Sequence, residues 1–184
     1  MSVLYGQALD ELRCCLDKVS DEQFEAAATE IASANRIALY GVGREGLQIK
    51  GLAMRLFHLG LRAGVVGDMT TPPVGDGDLL VVSAGPGDFS TVSALMTVAR
   101  QAGARTLLVT AEPAGAAAAL ADTVLTVPAQ TMARDQGVAV SSVLPMGSLY
   151  EGALYVLFEI LILSVRDRLG VTPDAMRANH TNLE

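Results

Sequence analysis

Two side chains in this sequence have the chemistry to move a proton, and two loops have the composition to hold an oxyanion. Glu151 follows the turn-like Pro145-Met146-Gly147 and lies in the first turn of a long apolar helical pattern that begins at Ser148. There the positive end of the helix dipole helps hold a carboxylate ionised, as a general base requires. The same spacing also fits a capping box, with Ser148 as N-cap and Glu151 at the third helical position. His180 stands in the polar C-terminal stretch, and imidazole titrates near neutrality, which suits it to proton transfer or ring opening. His58 falls inside a helical pattern and reads as a packing or interface residue.

The first loop, Gly41-Val42-Gly43-Arg44-Glu45-Gly46, follows an apolar run at 37–40, and the second, Ala84-Gly85-Pro86-Gly87-Asp88-Phe89-Ser90, follows another at 79–82. Glycine lets the chain turn tightly and aim N–H groups at an anion close to a helix start. Gly-x-Gly after a strand also serves as a plain tight turn. Candidate ligand-binding residues are Gly41, Gly43, Arg44 and Glu45 from the first loop, Ala84, Gly85, Gly87, Asp88 and Ser90 from the second, and Arg55 beyond the first. A dinucleotide site would use Gly41, Gly43 and Gly46 with an acid about 20 residues on, close to Asp68, but it does not call for a second glycine loop.

Those loops need a scaffold, and the pattern supplies one. Acidic, alanine-rich helices are expected over 2–18 and 21–34, the second capped by Ser20. Strands are expected over 37–40, 63–66, 79–82, 106–109 and 124–127, with helical patterns at 47–59, 91–102 and 114–121. Such alternation predicts right-handed crossovers and a doubly wound parallel sheet covered on both faces, an α/β fold. Ligands then bind beyond the carboxyl ends of the strands, where the two glycine loops meet.

Composition narrows the functional classes. At 184 residues and 51% hydrophobic content, the chain makes one domain with a large core. A net charge of −7 with no Trp and no basic cluster argues against a nucleic-acid surface. Adjacent Cys14 and Cys15 make neither an ordinary disulfide nor a four-ligand metal site and read as packing residues. The apolar run at 153–165 is interrupted by Glu159 and is shorter than the roughly 20 residues of a bilayer crossing. No secretory leader is visible, so a cytoplasmic protein without membrane contact is expected. The helix at 148–169 is apolar almost all round, which predicts association between copies.

Several segments together carry a resemblance: Gly41-Val42-Gly43-Arg44; Ala53-Met54-Arg55-Leu56-Phe57-His58-Leu59-Gly60; Gly67-Asp68-Met69-Thr70-Thr71-Pro72; Leu144-Pro145-Met146-Gly147-Ser148 with Glu151; and the closing His180-Thr181-Asn182-Leu183-Glu184. The chain resembles, over essentially its whole length, the sugar isomerase (SIS) family, and within it the 6-phospho-3-hexuloisomerases. The resemblance implies a five-stranded parallel sheet flanked by helices. It implies a single SIS domain over 1–184, with N-terminal helices at 1–35, an α/β core at 36–147 and a C-terminal helix and tail at 148–184. It further implies a homotetramer acting on a sugar phosphate without cofactor or metal, as a phosphosugar aldose-ketose isomerase that interconverts 3-hexulose 6-phosphate and fructose 6-phosphate through an enediol. On that resemblance Glu151 is the base and His180 assists, in its own site or by entering a neighbouring subunit's.

The departures from the family pattern fall where phosphate would bind. Glu45 replaces the serine of Gly-x-Gly-Arg-Ser-Gly, and Ala84, Pro86 and Phe89 stand at the hydroxyl positions of a Ser-x-Ser-Gly-x-Thr-like loop. Each hydroxyl lost from a charged acceptor forfeits roughly 1.5–3 kcal/mol, and Pro86 offers no N–H. Arg44, Arg55, the N–H groups of Gly85 and Gly87, or Ser83, Ser90 and Thr91 would have to compensate. Two other readings stay open: a SIS-fold enzyme for an unphosphorylated or amine-bearing sugar derivative, with Glu45 and Asp88 pointing into the pocket, and a non-catalytic carbohydrate-derivative-binding protein. The isomerase reading requires Glu151 and His180 to face the two loops.

Overall fold

In the computed structural model, which describes residues 1–183, five short apolar segments pair in parallel. They are β1 (Ile37–Gly41), β2 (Ala63–Val65), β3 (Leu79–Ser83), β4 (Arg105–Thr110) and β5 (Thr123–Thr126), in the spatial order β2-β1-β3-β4-β5. The order reverses between β1 and β3, whose register runs from Ile37 opposite Leu79 to Gly41 opposite Ser83. Both strands therefore end side by side, at the place where an open α/β sheet leaves a crevice.

Alternate residues on each strand feed two cores. Ile37, Leu39, Leu79, Val81, Leu107, Val109 and Leu125 face α2 (Asp21–Ser33), α3 (Gly43–His58) and α5 (Ser148–Leu169). On the other face Ala38, Leu80, Val82 and Leu108 meet Val92, Met96 and Ala99 of α4 (Ser90–Gln101). Burial on both faces is why the strands read as continuous apolar runs. α1 (Ser2–Leu16) packs on α5, and α6 (Pro173–Ala178), capped by Thr172, packs on α3. Ser20 caps α2 through the Gln23 N–H at 3.3 Å, as expected.

Four details differ from the sequence expectations. α3 begins at Gly43 rather than at 47, because the Gly46 N–H already bonds the Val42 carbonyl at 3.3 Å, so Arg44 and Glu45 sit in a first helical turn. The helix expected at 114–121 is only a 3-10 segment, Ala116–Leu120, whose last carbonyl is taken by Thr106 Oγ1 and Arg100 Nη1 instead of continuing a helix. Cys15 is buried, but Cys14 is exposed and does not pack. α5 has 22 residues and so does have the length and apolar content of a membrane crossing. Its inward side, including Leu154, Leu157, Phe158, Leu161 and Val165, is buried in the first core, so it is a core helix. Its outer side leaves Tyr155, Ile160 and Leu163 exposed, and α1 exposes Val3, Leu4, Tyr5 and Leu9.

The turn from β1 into α3 depends on two glycines in van der Waals contact. A Cβ on Gly46 would lie 2.5 Å from the Gly41 carbonyl oxygen, and one on Gly41 would lie 3.0 Å from the Gly46 nitrogen. Backbone cannot yield as a side chain can, so Gly46→Ala is expected to cost about 1–3 kcal/mol or more. Gly51→Ala, with nothing within 4 Å on the same helix, should instead stabilise. Thermal unfolding of the two variants checks the contrast; equal midpoints would contradict the close approach.

Candidate functional site

The crevice beyond β1 and β3 is closed on its third side by the start of α5, giving a cavity of about 330 Å³. Val42, Gly43, Arg44 and Glu45 come from the β1–α3 turn, Pro86 and Phe89 from the β3–α4 loop, Thr131 and Met132 from the segment after β5, and 145–148 with Tyr150 and Glu151 from the entry to α5. Most of the wall is apolar, and the charged groups are Arg44, Glu45 and Glu151.

Glu151 is held by Arg44, whose Nε donates to Oε2 at 2.5 Å. The carboxylate side chain is 12% exposed, whereas the Arg44 side chain is 69% exposed at the cavity mouth. The capping-box alternative does not form. Gly147, not Ser148, is the N-cap, no side chain caps the helix, and Glu151 is turned toward Arg44. Gln130 clamps the loop that delivers this helix start: its Nε2 donates to the Met146 carbonyl at 3.1 Å, and its Oε1 accepts from the Ser141 N–H at 2.7 Å. Met146 itself sits at φ 55°, a left-handed conformation unusual for a side-chain-bearing residue.

Glu45 is the more deeply placed carboxylate, 8% exposed. Its Oε2 accepts from Ser83 Oγ at 2.6 Å and from the Gly85 N–H at 3.0 Å. Ser83 has one hydroxyl proton and gives it to Glu45, so the Tyr150 hydroxyl, 3.2 Å away, donates to Ser83 Oγ. A Cβ on Gly85 would lie 2.8 Å from the Tyr150 ring and 2.9 Å from Glu45 Oε1, so only glycine lets both side chains close on the loop. Burial pushes the Glu45 carboxyl above the usual range, opposed by the two hydrogen bonds and reinforced by Glu151. Burial, and secondarily the Glu45 charge, drives the Tyr150 phenol well above its ordinary value.

The other expected site residues are placed differently. Gly41 is packed behind the turn. Ala84 and Gly87 face inward; their N–H groups bond the Val109 and Ala84 carbonyls at 3.0 and 2.9 Å. Gly85 spends its N–H on Glu45. Asp88 does not point into the cavity: it is exposed and accepts from Ser93 Oγ at 2.5 Å, closing the first turn of α4, where Ser90 is also exposed. Arg55 is on the far half of α3, paired with Glu159 at 2.9 Å. His180 stacks on His58 at a 5.1 Å centroid distance, at the C-terminal end of α3, the end opposite Glu45. With 16 residues in that helix, it lies roughly 20 Å from the cavity of its own chain. Asp68 lines a separate cavity with His58 and Thr181 and does not meet the glycine loops.

Sequence reasoning did not single out Tyr150 or Thr131. Thr131 is 2% exposed, and its Oγ1 has no hydrogen-bond partner among the described residues. It lies near Gly147, as does Glu151: a Cβ on Gly147 would lie 4.0 Å from the Thr131 Cα and 3.7 Å from Glu151 Oε1. A threonine after a strand carries no signal of its own; the bare hydroxyl is visible only in three dimensions. Among the described residues no cluster of His, Cys, Asp and Glu could hold a metal ion.

The SIS domain family profile matches residues 30–155. The chain belongs to the SIS domain family. The match runs from the end of α2 into the second turn of α5 and beyond, to residue 155, and so includes every wall of the cavity. Two curated relatives are named 3-hexulose-6-phosphate isomerase. The Bacillus subtilis (strain 168) protein is 30% identical over 179 residues, covering 97% of this chain and 96% of its own length. The Mycobacterium gastri protein is 38% identical over 175 residues, covering 95% and 87%. A solved Methanococcus jannaschii structure, described as inferring a molecular function of 3-hexulose-6-phosphate isomerase, superposes with a TM-score of 0.84 at 25% identity over 98% of both chains. The five-stranded parallel sheet is the fold expected of the family.

The buried Glu45 carboxyl gives a stability prediction with a definite sign. A carboxyl whose folded-state pKa is raised stabilises the protein fully below the unfolded value of about 4.3 and loses that contribution as pH rises through the raised value. Glu45→Gln cannot ionise, so its unfolding midpoint relative to wild type should rise as the pH goes from 4 to 8. Melting curves across that range test this, and a pH-independent difference would contradict it.

Proposed function

We propose that this chain is a phosphosugar isomerase of the 6-phospho-3-hexuloisomerase type, converting 3-hexulose 6-phosphate to fructose 6-phosphate with Glu151 as the base. The observation that carries the reading is the Glu151 carboxylate, oriented by Arg44 in the crevice at the carboxyl ends of β1 and β3, in a chain whose relatives bear that enzyme's name over nearly their full length.

The chemistry is a proton shift between neighbouring carbons. Glu151 removes the proton from C2 of the 3-ketose, and the C2–C3 enediol forms as the C3 carbonyl oxygen is protonated. The same carboxyl then returns the proton to C3 while the C2 hydroxyl loses its own to become the new carbonyl, so no atom is gained or lost. Both carbonyl positions are internal; the enediol route is the one an aldose-ketose isomerase follows. Arg44 holds the carboxylate toward the cavity, and the apolar wall of Phe89, Met132, Pro145 and Met146 excludes water from the reacting carbons.

Turnover of 3-hexulose 6-phosphate to fructose 6-phosphate by the purified protein is the direct test. Glu151→Gln should lower kcat by roughly 10²- to 10⁴-fold, the range general-base removal gives; activity unchanged in this variant would remove Glu151 from the mechanism.

His180 takes part, on this reading, in the cavity of a second copy, because it lies too far from the cavity of its own chain. The exposed apolar residues of α1 and α5 support assembly of copies, of which a homotetramer is the form the family resemblance implies. Inactive His180→Ala and Glu151→Gln proteins, dissociated and reassociated together, should regain part of the wild-type activity, since mixed assemblies contain intact composite sites. Mixtures as inactive as either parent would show that His180 does not complete the site of a second copy.

A further inference from the structure

We infer that Glu45 sets the ligand specificity of this pocket: its carboxylate takes two donors, Ser83 Oγ at the end of β3 and the Gly85 N–H beyond it, that this corner would otherwise offer a phosphate, so the corner receives a neutral sugar hydroxyl. The inference rests on the isomerase reading in taking the ligand to be a phosphorylated ketose whose reacting carbons face Glu151.

Four donors at the β3 end of the loop are already engaged. Ser83 Oγ and the Gly85 N–H both donate to Glu45 Oε2, at 2.6 and 3.0 Å. The Ala84 and Gly87 N–H groups bond backbone carbonyls, and residue 86 is a proline without an N–H. Asp88 adds an acceptor bonded to Ser93, not a donor. A phosphate placed here would have to displace the carboxylate or lie against it, two anions competing for the same two hydrogens in a cavity with mostly apolar walls.

An ionised carboxylate is an acceptor only, and a sugar hydroxyl is the complementary donor. Glu45 and Glu151 line the same cavity, so a polyhydroxylated chain can donate to one carboxylate while its reacting carbons face the other. Arg44 is the cation at the mouth, 69% exposed, with Nε on Glu151 and further N–H donors on the same guanidinium. A phosphorylated ketose therefore lies with its hydroxyl end at Glu45 and its phosphate toward Arg44.

The test is equilibrium binding of inorganic phosphate, fructose 6-phosphate and fructose to wild type, Glu45→Ser and Glu45→Gln. Serine releases the Ser83 and Gly85 donors and removes the charge, and should tighten inorganic phosphate and fructose 6-phosphate at least tenfold, while fructose weakens. Gln keeps an acceptor for Ser83 and Gly85 without the charge and should fall between; it serves as the probe if the serine variant does not fold. Phosphate bound no more tightly by either variant than by wild type would overturn the inference. Turnover of 3-hexulose 6-phosphate, measured on the same preparations, separates the two readings. A phosphate gain in Glu45→Ser without turnover by wild type sinks the isomerase and upholds Glu45, whereas wild-type turnover without any phosphate gain does the reverse.

Discussion

A carboxylate cannot be buried alone, and the arrangement of this site follows from how Glu45 is satisfied. Removing a charged group from water costs several kcal/mol unless hydrogen bonds replace the lost hydration. Here the replacements come from the last residue of β3 and from the loop beyond it, Ser83 and Gly85, so the first turn of α3 is tied to the neighbouring strand's end. Tyr150 then completes the relay by donating to Ser83, which ties α5 to the same point. Three elements distant in sequence are joined through one carboxylate, and the cavity is the space left beside that junction.

That junction is possible because the sheet brings the ends of β1 and β3 together. A parallel pair needs a crossover between its strands, and the reversal of strand order at β1 and β3 sends the following helices to opposite faces. The two exits diverge and leave the crevice. Gly41 and Gly46 set its floor by letting α3 start in contact with the strand it leaves, and this contact puts Glu45 within reach of Ser83. Along α3 the same geometry carries His58 away from the site, and His180 with it.

The sheet and its loops were legible in the sequence because burial on both faces writes strands as unbroken apolar runs, and glycines mark where the chain must turn without a side chain. Boundaries were less legible: the start of α3 depends on one hydrogen bond from Gly46, and the 3-10 segment after β4 depends on Thr106 and Arg100 capturing the Leu120 carbonyl. At the site, Arg44, Glu45 and Glu151 were legible as residues but not as partners, since 107 positions separate Arg44 from Glu151. Asp88 lies outside the cavity because its carboxylate accepts from the Ser93 hydroxyl one turn into the next helix, a pairing the loop sequence alone does not specify. Thr131 and Tyr150 carried no local pattern; one is a buried hydroxyl without a partner among the described residues, and the other is fixed by its contact with Ser83.

The two carboxylates also divide by environment. Glu151 and Tyr150 are neighbours on one helical turn, yet Tyr150 faces the dry interior and Glu151 faces an arginine that reaches solvent. The two acids are therefore not interchangeable: Glu45 is bonded to Ser83 and the Gly85 N–H, and Glu151 to Arg44. Arg44 provides the cation on the Glu151 side; on the Glu45 side burial opposes the charge, and Glu151 adds to that opposition. Glu45 is therefore more than a binding contact: it is a second acid in the cavity that holds Glu151, and the Glu151 charge acts on it.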